Sequence, residues 1–340
     1  MSYDKYLIYK KQYSIDNGVT WIDTYPLETT VSGDSIGSYE TIDECEGSGY
    51  TSTDYFRIIP LEHIIFGYYN GTASIGNLPF VFSKDSGNTW STVGWGQARD
   101  GYLGEEIWVK GIPSLLNDGN IGSIKVWGRY NVEGNIMSLL HGDNFGGKTS
   151  LENRGHCFKG FFSGHTGLES AENLILPSTI LTEECYANMF SGCISLVTAP
   201  KELCAENLID ARYCYKSMFN GCTSLTTAPI INAKLLSRGC CSDMFNGCTS
   251  LRTAPRLEAK RLVAFCYSSM FSGCTNLNHI ECLAVNPGDR AGAFEENEFS
   301  TYSWMKNVSS NGVFVKYNSL ITWGRGEDGI PNGWTVQDCT

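Results

Sequence analysis

The chain has 340 residues, of which 42% are apolar, 12% aromatic and 18% charged, so it can form two or three domains with buried cores and is not disordered. Its formal net charge of −11 opposes the electrostatic attraction on which nucleic-acid binding depends, which excludes DNA and RNA as expected partners. The sequence contains no run of about 20 apolar residues, so we expect no insertion into a membrane.

Two segments near the N-terminus share a turn pattern. Residues 14–21 and 83–90 both resemble the Asp-box hairpin, S-x-D-x-G-x-T-W, in which Asp and Gly form the turn and Trp packs beneath it. The first belongs to a predicted N-terminal β unit over residues 1–45. The second belongs to a predicted β-sandwich over residues 46–150, where aromatic and β-branched runs alternate with turn residues. A propeller-type glycosidase would need several such hairpins at regular spacing, and this sequence has two, so glycosidase activity is only a remote alternative.

Residues 142–149, Gly-Asp-Asn-Phe-Gly-Gly-Lys-Thr, formally match the phosphate-binding loop G-x-x-x-x-G-K-[ST]. In such a loop Lys148 would contact the terminal phosphate and Thr149 a magnesium ion. The loop requires a parallel strand before it and a full helix after it, whereas this segment leads directly into a repeat. Nucleotide binding is therefore a second remote alternative, and we interpret the segment as a junction.

A nine-residue motif recurs five times between residues 157 and 274. The copies begin at Cys157, Cys185, Cys214, Cys240 and Cys266, in steps of 28, 29, 26 and 26 residues. These steps lie in the range of leucine-rich repeats. We predict an α/β leucine-rich-repeat solenoid over residues 151–285, with five coils and one short strand in each coil.

Within each repeat, the motif itself is expected to form a helix of two or three turns. In residues 182–192, Thr182 is a candidate N-cap and Gly192 suits a left-handed position at the C-terminal end. Cys185 and Met189 are four residues apart, which places them on one face of a helix. The predicted fold class is therefore mainly β with short helices.

Twelve of the fourteen cysteines lie between Cys157 and Cys282, and three alternatives are open for them: free buried thiols, disulfides and a metal site. No C-x-x-C or C-x-x-H pair occurs, which disfavours zinc. Stacked columns of small buried thiols fit the repeat best. His165, which replaces the second cysteine of the first motif, is expected to be structural. We expect no metal, no cofactor and no catalytic residue.

Internal repetition separates constant positions from variable ones. Leu168 and its four counterparts never change, and neither does the glycine that precedes them. The position after this leucine varies, holding Glu169, Val197, Thr226, Arg252 and Asn278, and the position after the proline holds Lys201, Ile230 and Arg256. Variable side chains are expected to face solvent or a partner. The candidate ligand-binding residues are Glu169, Lys201, Arg252, Arg256 and Asn278.

Residues 286–340 are predicted to cap the last coil, since a solenoid needs an atypical end to cover its last apolar face. The run from Tyr302 to Met305 echoes the Tyr-x-x-Met of the motif. We expect the three tryptophans of this segment, Trp304, Trp323 and Trp334, to pack within the cap.

The repeated Cys-Tyr-x-x-Met-Phe-x-Gly-Cys-Thr-Ser-Leu-Thr-Thr-Ala-Pro resembles the leucine-rich repeats of BspA-like surface proteins. Residues 11–21, 131–140 and 329–336 are similar to proteins of gut Bacteroides and their phages. The resemblance implies a surface adhesin for bacterial members and a tail- or virion-associated protein for phage members, and it brings no catalytic residue. The sequence departs from the family at His165 and at Cys240–Cys241.

The resemblance implies a non-enzymatic recognition protein, with a bacteriophage virion or tail-fibre protein that binds a Bacteroides host as the first hypothesis. A Bacteroides cell-surface adhesin is the alternative. The start, Met-Ser-Tyr-Asp-Lys-Tyr, has no secretory apolar region and no lipid-accepting cysteine, which favours assembly in the bacterial cytoplasm. The expected partners are a host glycan or outer-membrane protein and other virion proteins. Because phage fibres are commonly trimers, a homotrimer is an open expectation.

Overall fold

The computed structural model describes residues 12–14, 21–23, 55–69, 79–92, 99–116, 119, 121–285, 299–318 and 320–339. The described chain is mainly β, with sixteen strands and a single α-helix, α1 (Ser138–His141). It divides into two compact units, residues 1–54 and 55–340. Among the described residues, no helix has the length and apolar character that crossing a membrane requires.

In the first unit, the described residues form one antiparallel hairpin. Strand β1 (Gln12–Ser14) pairs with β2 (Trp21–Asp23), and Ser14 lies opposite Trp21. These two residues are the first and last of the first Asp-box-like segment, so the ends of that segment are paired as a hairpin requires. Its turn, residues 15–20, lies outside the described residues.

The second unit begins with two sheets. Their strands are β3 (Phe56–Pro60), β4 (Ile64–Tyr69), β5 (Phe80–Ser83), β6 (Ser91–Thr92), β7 (Arg99–Gly101), β8 (Ile107–Gly111), β9 (Ser123–Trp127), β10 (Tyr130–Asn135) and β11 (Leu168–Ile175). One sheet has the order β11-β10-β3-β8-β5-β6, and the other has the order β7-β4-β9. The pairing of β10 with β11 is parallel, and the other pairings are antiparallel.

Alternating burial along the strands builds the core between these sheets. Phe56 and Ile58 of β3 are buried with their neighbours on β8, as a period of two predicts. The rings of Phe66 on β4 and Phe82 on β5 lie 5.2 Å apart, so the two sheets share apolar contacts. Because β11 belongs to the first repeat, the six-stranded sheet continues across residue 150. The domain boundaries at residues 45, 150 and 285 stay predictions.

The second Asp-box-like segment forms the predicted turn between β5 and β6. The hydroxyl of Ser83 donates to the Asp85 carboxylate at 2.6 Å, and the backbone N–H of Thr89 donates to it at 2.9 Å. These bonds, the Ser83 hydroxyl first among them, lower the pKa of Asp85 to about 2. Gly87 has a φ of 85°, in the left-handed region that favours glycine, and a Cβ added there would lie 3.5 Å from the rings of Trp108 and Trp90. The turn prediction is confirmed for this segment.

Residues 142–149 lack the surroundings of a phosphate-binding loop. They follow α1 rather than a parallel strand, and they begin with a 3-10 turn, Gly142–Asn144. Beyond them, Ser150 forms an isolated bridge with Ile180 instead of opening a helix. The segment joins α1 to the first repeat.

We refer to the nine-residue motif of each repeat as a row. The rows are not helical, and the prediction of a short helix in each repeat is wrong. In the second row, the N–H of Ala187 donates to the carbonyl of Glu184, three residues earlier. The N–H of Tyr186 donates instead to the carbonyl of Cys214 in the next row, at 3.0 Å. This alternation continues along the row. Every fourth residue has a positive φ, namely Glu184, Asn188 and Gly192. An α-helix requires bonds four residues back and a negative φ throughout.

The rows therefore consist of consecutive turns, and each row is hydrogen-bonded in parallel to its neighbours. Like residues consequently stack. The rings of Phe162, Phe190, Phe219, Phe245 and Phe271 follow one another at 5.2, 5.3, 5.4 and 5.7 Å. The glycine near the end of each row adopts a φ between 73° and 76°, which explains why the sequence never changes there.

Short extended pieces outside the rows also pair in parallel from one repeat to the next. Thr198 bridges Ser170 on one side and Thr227 on the other, and Thr253 bridges His279. Strand β12 (Glu202–Leu203) pairs with β13 (Ile230–Ile231).

Among the described cysteines, twelve are free thiols and Cys204 is disulfide-bonded. In four rows the terminal thiol donates to the carbonyl of the stacked phenylalanine of the preceding row at 3.0–3.1 Å. These four are Cys193, Cys222, Cys248 and Cys274. The preference for free thiols over a disulfide ladder is confirmed for eleven of the twelve cysteines between Cys157 and Cys282, and Cys204 is the exception. Among the residues that the structure describes, no group of three potential ligands could hold a metal ion.

The C-terminal segment continues the same arrangement. Strands β14 (His279–Cys282), β15 (Gly312–Lys316) and β16 (Trp334–Asp338) form a parallel sheet. Phe271 N–H bonds to Trp304 O at 2.9 Å, just as Phe245 N–H bonds to Met270 O. Trp304 thus occupies the position that methionine holds in the rows. The sequence pattern aligns Met305 with that methionine, so the predicted alignment of Tyr302–Met305 with the motif is wrong by one residue. The three cap tryptophans are buried, as predicted.

Candidate functional surface

The candidate ligand-binding residues lie on two exposed columns that run across the repeats. The first outer column is the position after the constant leucine and contains Glu169, Val197, Thr226, Arg252 and Asn278. In it, the N–H of Val197 donates to Glu169 O at 2.8 Å, and the N–H of Thr226 donates to Val197 O at 3.0 Å. Further along it, Asn278 N–H bonds to Arg252 O at 2.9 Å. Parallel pairing therefore brings neighbouring members of the column side by side.

The second outer column lies four residues further along each repeat and contains Lys201, Ile230 and Arg256. Ile230 N–H bonds to Lys201 O at 2.9 Å, which places these residues in adjacent repeats. All three side chains are exposed. The structure therefore groups the five candidates into two columns rather than one compact site.

Two of the candidates are engaged in ion pairs. The carboxylate of Glu169 accepts a hydrogen bond from Arg129 at 2.5 Å. The guanidinium of Arg256 lies 3.2 Å from Glu258 and 3.0 Å from Glu281. Arg252 and Asn278 are exposed on the first outer column. The charge available to a partner is consequently greater at Arg252 than at Arg256.

Two apolar members of the columns were not among the candidate residues. Val197 is 43% exposed and Ile230 is 62% exposed, although both are aliphatic. The variability that singled out the charged residues marks these positions equally. The prediction took only charged and amide side chains from these positions, and the structure shows that the two aliphatic residues contribute apolar area to the same columns.

His165 is buried at the end of the first row. Its Nδ1 forms a hydrogen bond with the hydroxyl of Tyr130, which is also buried. Burial, and after it the charge of Lys125, lowers the pKa of His165 from 6.5 to about 3. The imidazole is therefore neutral at pH 7, and its hydrogen bond links the first row to β10.

Acid is expected to destabilise the native protein through His165. Below pH 6.5 the unfolded histidine binds a proton that the folded one does not, so the free energy of unfolding falls by about 1.4 kcal/mol per pH unit down to the folded pKa. His165→Cys restores the residue of the other rows and should lack this slope. Urea unfolding between pH 7 and pH 4 measures the difference, because carboxylate titration is common to both proteins. If the free energy of unfolding depended on pH equally in the wild type and in His165→Cys, the prediction would be contradicted. As a control, Tyr130→Phe should keep the slope of the wild type.

No protein family, curated protein or solved structure matches the chain. The resemblance to BspA-like proteins therefore rests on the quoted motifs alone.

Proposed function

We propose that this chain is a non-enzymatic recognition protein in which the repeats form a leucine-rich solenoid and the outer columns bind a partner. The observation that carries the proposal is the contrast between the two sides of the repeats. Interior positions such as Phe219 and Leu225 are fully buried and hold the same residue in all five repeats, whereas the outer columns differ from repeat to repeat. A constant scaffold with variable exposed positions suits a surface that reads a particular partner.

The hydrogen bonds between repeats also support recognition. Backbone groups of the outer columns are fixed by their neighbours, so binding would order few additional groups and would lose little conformational entropy. The exposed mixture of Arg252, Asn278, Val197 and Ile230 offers cationic, amide and aliphatic contacts. Such a combination fits a partner with polar and apolar areas, such as a host surface glycan or an outer-membrane protein.

For the biological setting, we propose a tail- or virion-associated protein of a phage that infects Bacteroides. The repeat and flanking motifs support this setting. The free thiols favour assembly in a reducing cytoplasm, whereas the disulfide at Cys204 favours an oxidising compartment. A Bacteroides surface adhesin is the second candidate, and the BspA-like repeat motif itself favours it. Mass spectrometry of purified virions and of washed cells separates the two, since each predicts the chain in only one sample.

Removing both arginines of the outer columns should weaken binding without unfolding the protein. We expect the joint change Arg252→Ala and Arg256→Ala to reduce binding of the labelled chain to Bacteroides cells by about tenfold. The ion pairs of Arg256 are largely exposed, so the melting temperature should change by less than about 3 °C. Flow cytometry on a panel of strains, with and without capsules, measures the binding.

The matched control removes the same charge elsewhere. Arg212 and Arg261 are exposed and lie outside both columns, so Arg212→Ala with Arg261→Ala should leave binding unchanged. Equal losses in the two double variants would mean that net charge, rather than the outer columns, determines binding. A wild-type chain that binds none of the strains would refute host recognition.

A further inference from the structure

The outward face of the three-stranded sheet β7-β4-β9 carries apolar and aromatic side chains that are exposed to solvent. Ile65 on β4 lies opposite Trp127 on β9 and opposite Asp100 on β7. Since side chains alternate along strands, these three project from the same face, and Ile64 and Phe66 project into the core, where they are buried. Trp127 is 59% exposed.

Tyr102 extends this face beyond the end of β7. It lies two residues after Asp100 and is 51% exposed. Its ring stacks on His63 with centroids 5.0 Å apart, and His63 Nε2 lies 2.9 Å from the Asp100 carboxylate. The face thus combines two exposed rings with a hydrogen-bonded histidine and carboxylate.

Such a face is unusual for an antiparallel sheet, whose solvent side normally carries polar residues. Exposed tryptophan and tyrosine on one face indicate a binding surface. The rings do not form one apolar patch, because charged groups separate them: Asp100 is exposed, and Lys84 lies 5.4 Å from the Tyr102 ring and pairs with Glu105 at 2.7 Å. The core of a protein–protein interface is depleted of charged residues, which argues against a protein partner.

We propose that this face is a binding site for a pyranose oligosaccharide. The rings of Trp127 and Tyr102 would pack against the apolar C–H faces of sugar rings, and Asp100 and His63 would hydrogen-bond to sugar hydroxyls. Trp127 on β9 and Tyr102, just beyond β7, lie on either side of β4 and are offset by two residues along the strands. About 12 Å therefore separates their Cα atoms, a span that different sugar rings of one chain can bridge. The site lies outside both outer columns, and the proposal does not depend on the proposed function of the repeats.

Isothermal titration of the full chain with maltohexaose, cellohexaose, mannohexaose and xylohexaose tests the proposal. We expect saturable binding of at least one of them and at least a tenfold loss of affinity in Trp127→Ala. Tyr102→Ala should lose affinity as well, whereas Trp127→Phe, which retains a ring, should lose less. These side chains are exposed, so the variants should melt as the wild type does.

Tyr302→Ala is the matched control, since Tyr302 is 52% exposed and lies in the C-terminal segment. It should bind the oligosaccharide as the wild type does. The absence of saturable binding to all four sugars, or wild-type affinity in Trp127→Ala, would overturn the proposal. It would also be overturned if the wild type sediments as a dimer and Trp127→Ala as a monomer, because the face would then bind a second copy. Loss of oligosaccharide binding with intact cell binding, or the reverse, separates this site from the outer columns.

Discussion

Replacing Phe219 by alanine is expected to lower the free energy of unfolding by about 5 kcal/mol. The side chain is fully buried and stacks between Phe190 at 5.3 Å and Phe245 at 5.4 Å. Truncation of a buried phenylalanine costs about 3–5 kcal/mol, and the two ring contacts add to this cost. A loss of this size approaches the whole stability of many domains. Urea unfolding followed by circular dichroism measures it.

Phe219→Leu is the appropriate companion, because it keeps most of the apolar volume and loses only the ring contacts. We expect it to cost about 1.5 kcal/mol. Equal losses of stability in Phe219→Ala and Phe219→Leu would mean that the ring contacts contribute more to stability than the buried apolar volume does. A cost below about 1 kcal/mol for Phe219→Ala would mean that the phenylalanine column is not packed as described.

Alkaline pH is expected to unfold the protein in a steep transition. Burial raises the pKa of Cys185, Cys193, Cys274 and Cys282 from 9.0 to about 12. Below pH 9 these thiols are protonated in both states, whereas above pH 9 the unfolded thiols ionise and the folded ones do not. Each thiol then removes about 1.4 kcal/mol of stability per pH unit, and the four together remove about 5.5 kcal/mol per pH unit. Unfolding should occur at about pH 10–11.

The alkaline transition can be tested through stability and through thiol chemistry. Cys274→Ala should reduce the slope of unfolding free energy against pH by about 1.4 kcal/mol per pH unit between pH 9 and the transition. Of the twelve free thiols in the described part of the chain, an alkylating reagent at pH 8 should label only Cys339, which is partly exposed, in the native protein, and all twelve after denaturation without reductant. Stability that stays constant up to pH 11, or rapid labelling of the buried thiols in the native state, would contradict this account.

Internal repetition made much of the repeat architecture predictable. Comparison of the five motifs identified the buried columns and the two variable ones, because burial constrains a residue at every repeat and exposure does not. The preference for free thiols followed from the same stacking of like residues. The second Asp-box-like turn was predictable for a local reason: the side chain of Asp85 and the glycine at position 87 determine the turn without help from the rest of the chain.

The helix prediction failed because apolar residues four apart suit two different backbones. A helix has 3.6 residues per turn, so residues eight apart, such as Cys185 and Cys193, would drift by about 80° around its axis. Both are fully buried, as are Met189 and Phe190 between them, which fits a true period of four. Within the rows, the positions with positive φ hold small or polar residues, such as Asn188 and Gly192, and these were the available signal for that backbone conformation.

The aromatic face of the three-stranded sheet was only partly accessible from the sequence. Alternation along the run Ile124-Lys-Val-Trp127 already places the tryptophan on the side opposite to Ile124, which is buried. The pairing of strands β9 and β7 with β4 depends on contacts between residues distant in the sequence, and no pattern within one strand specifies it. The sequence therefore could not predict that Trp127, Ile65 and Asp100 lie side by side, which the structure shows.

The row-to-row bonding also governs how the chain can change in length. Each row presents the same donors and acceptors to the row before it and the row after it. A Cβ placed on the glycine of any of the last four rows would lie 3.5–3.8 Å from the Cα of the glycine in the preceding row, so the glycines stack with a nearly constant spacing. Duplication or deletion of one complete repeat preserves every contact of this kind and changes the length of the outer columns by about 4.8 Å. An insertion of any other size within a row places the phenylalanine and glycine columns out of register. Recombination between repeats can thus alter which side chains a partner meets while the copy number changes in whole steps.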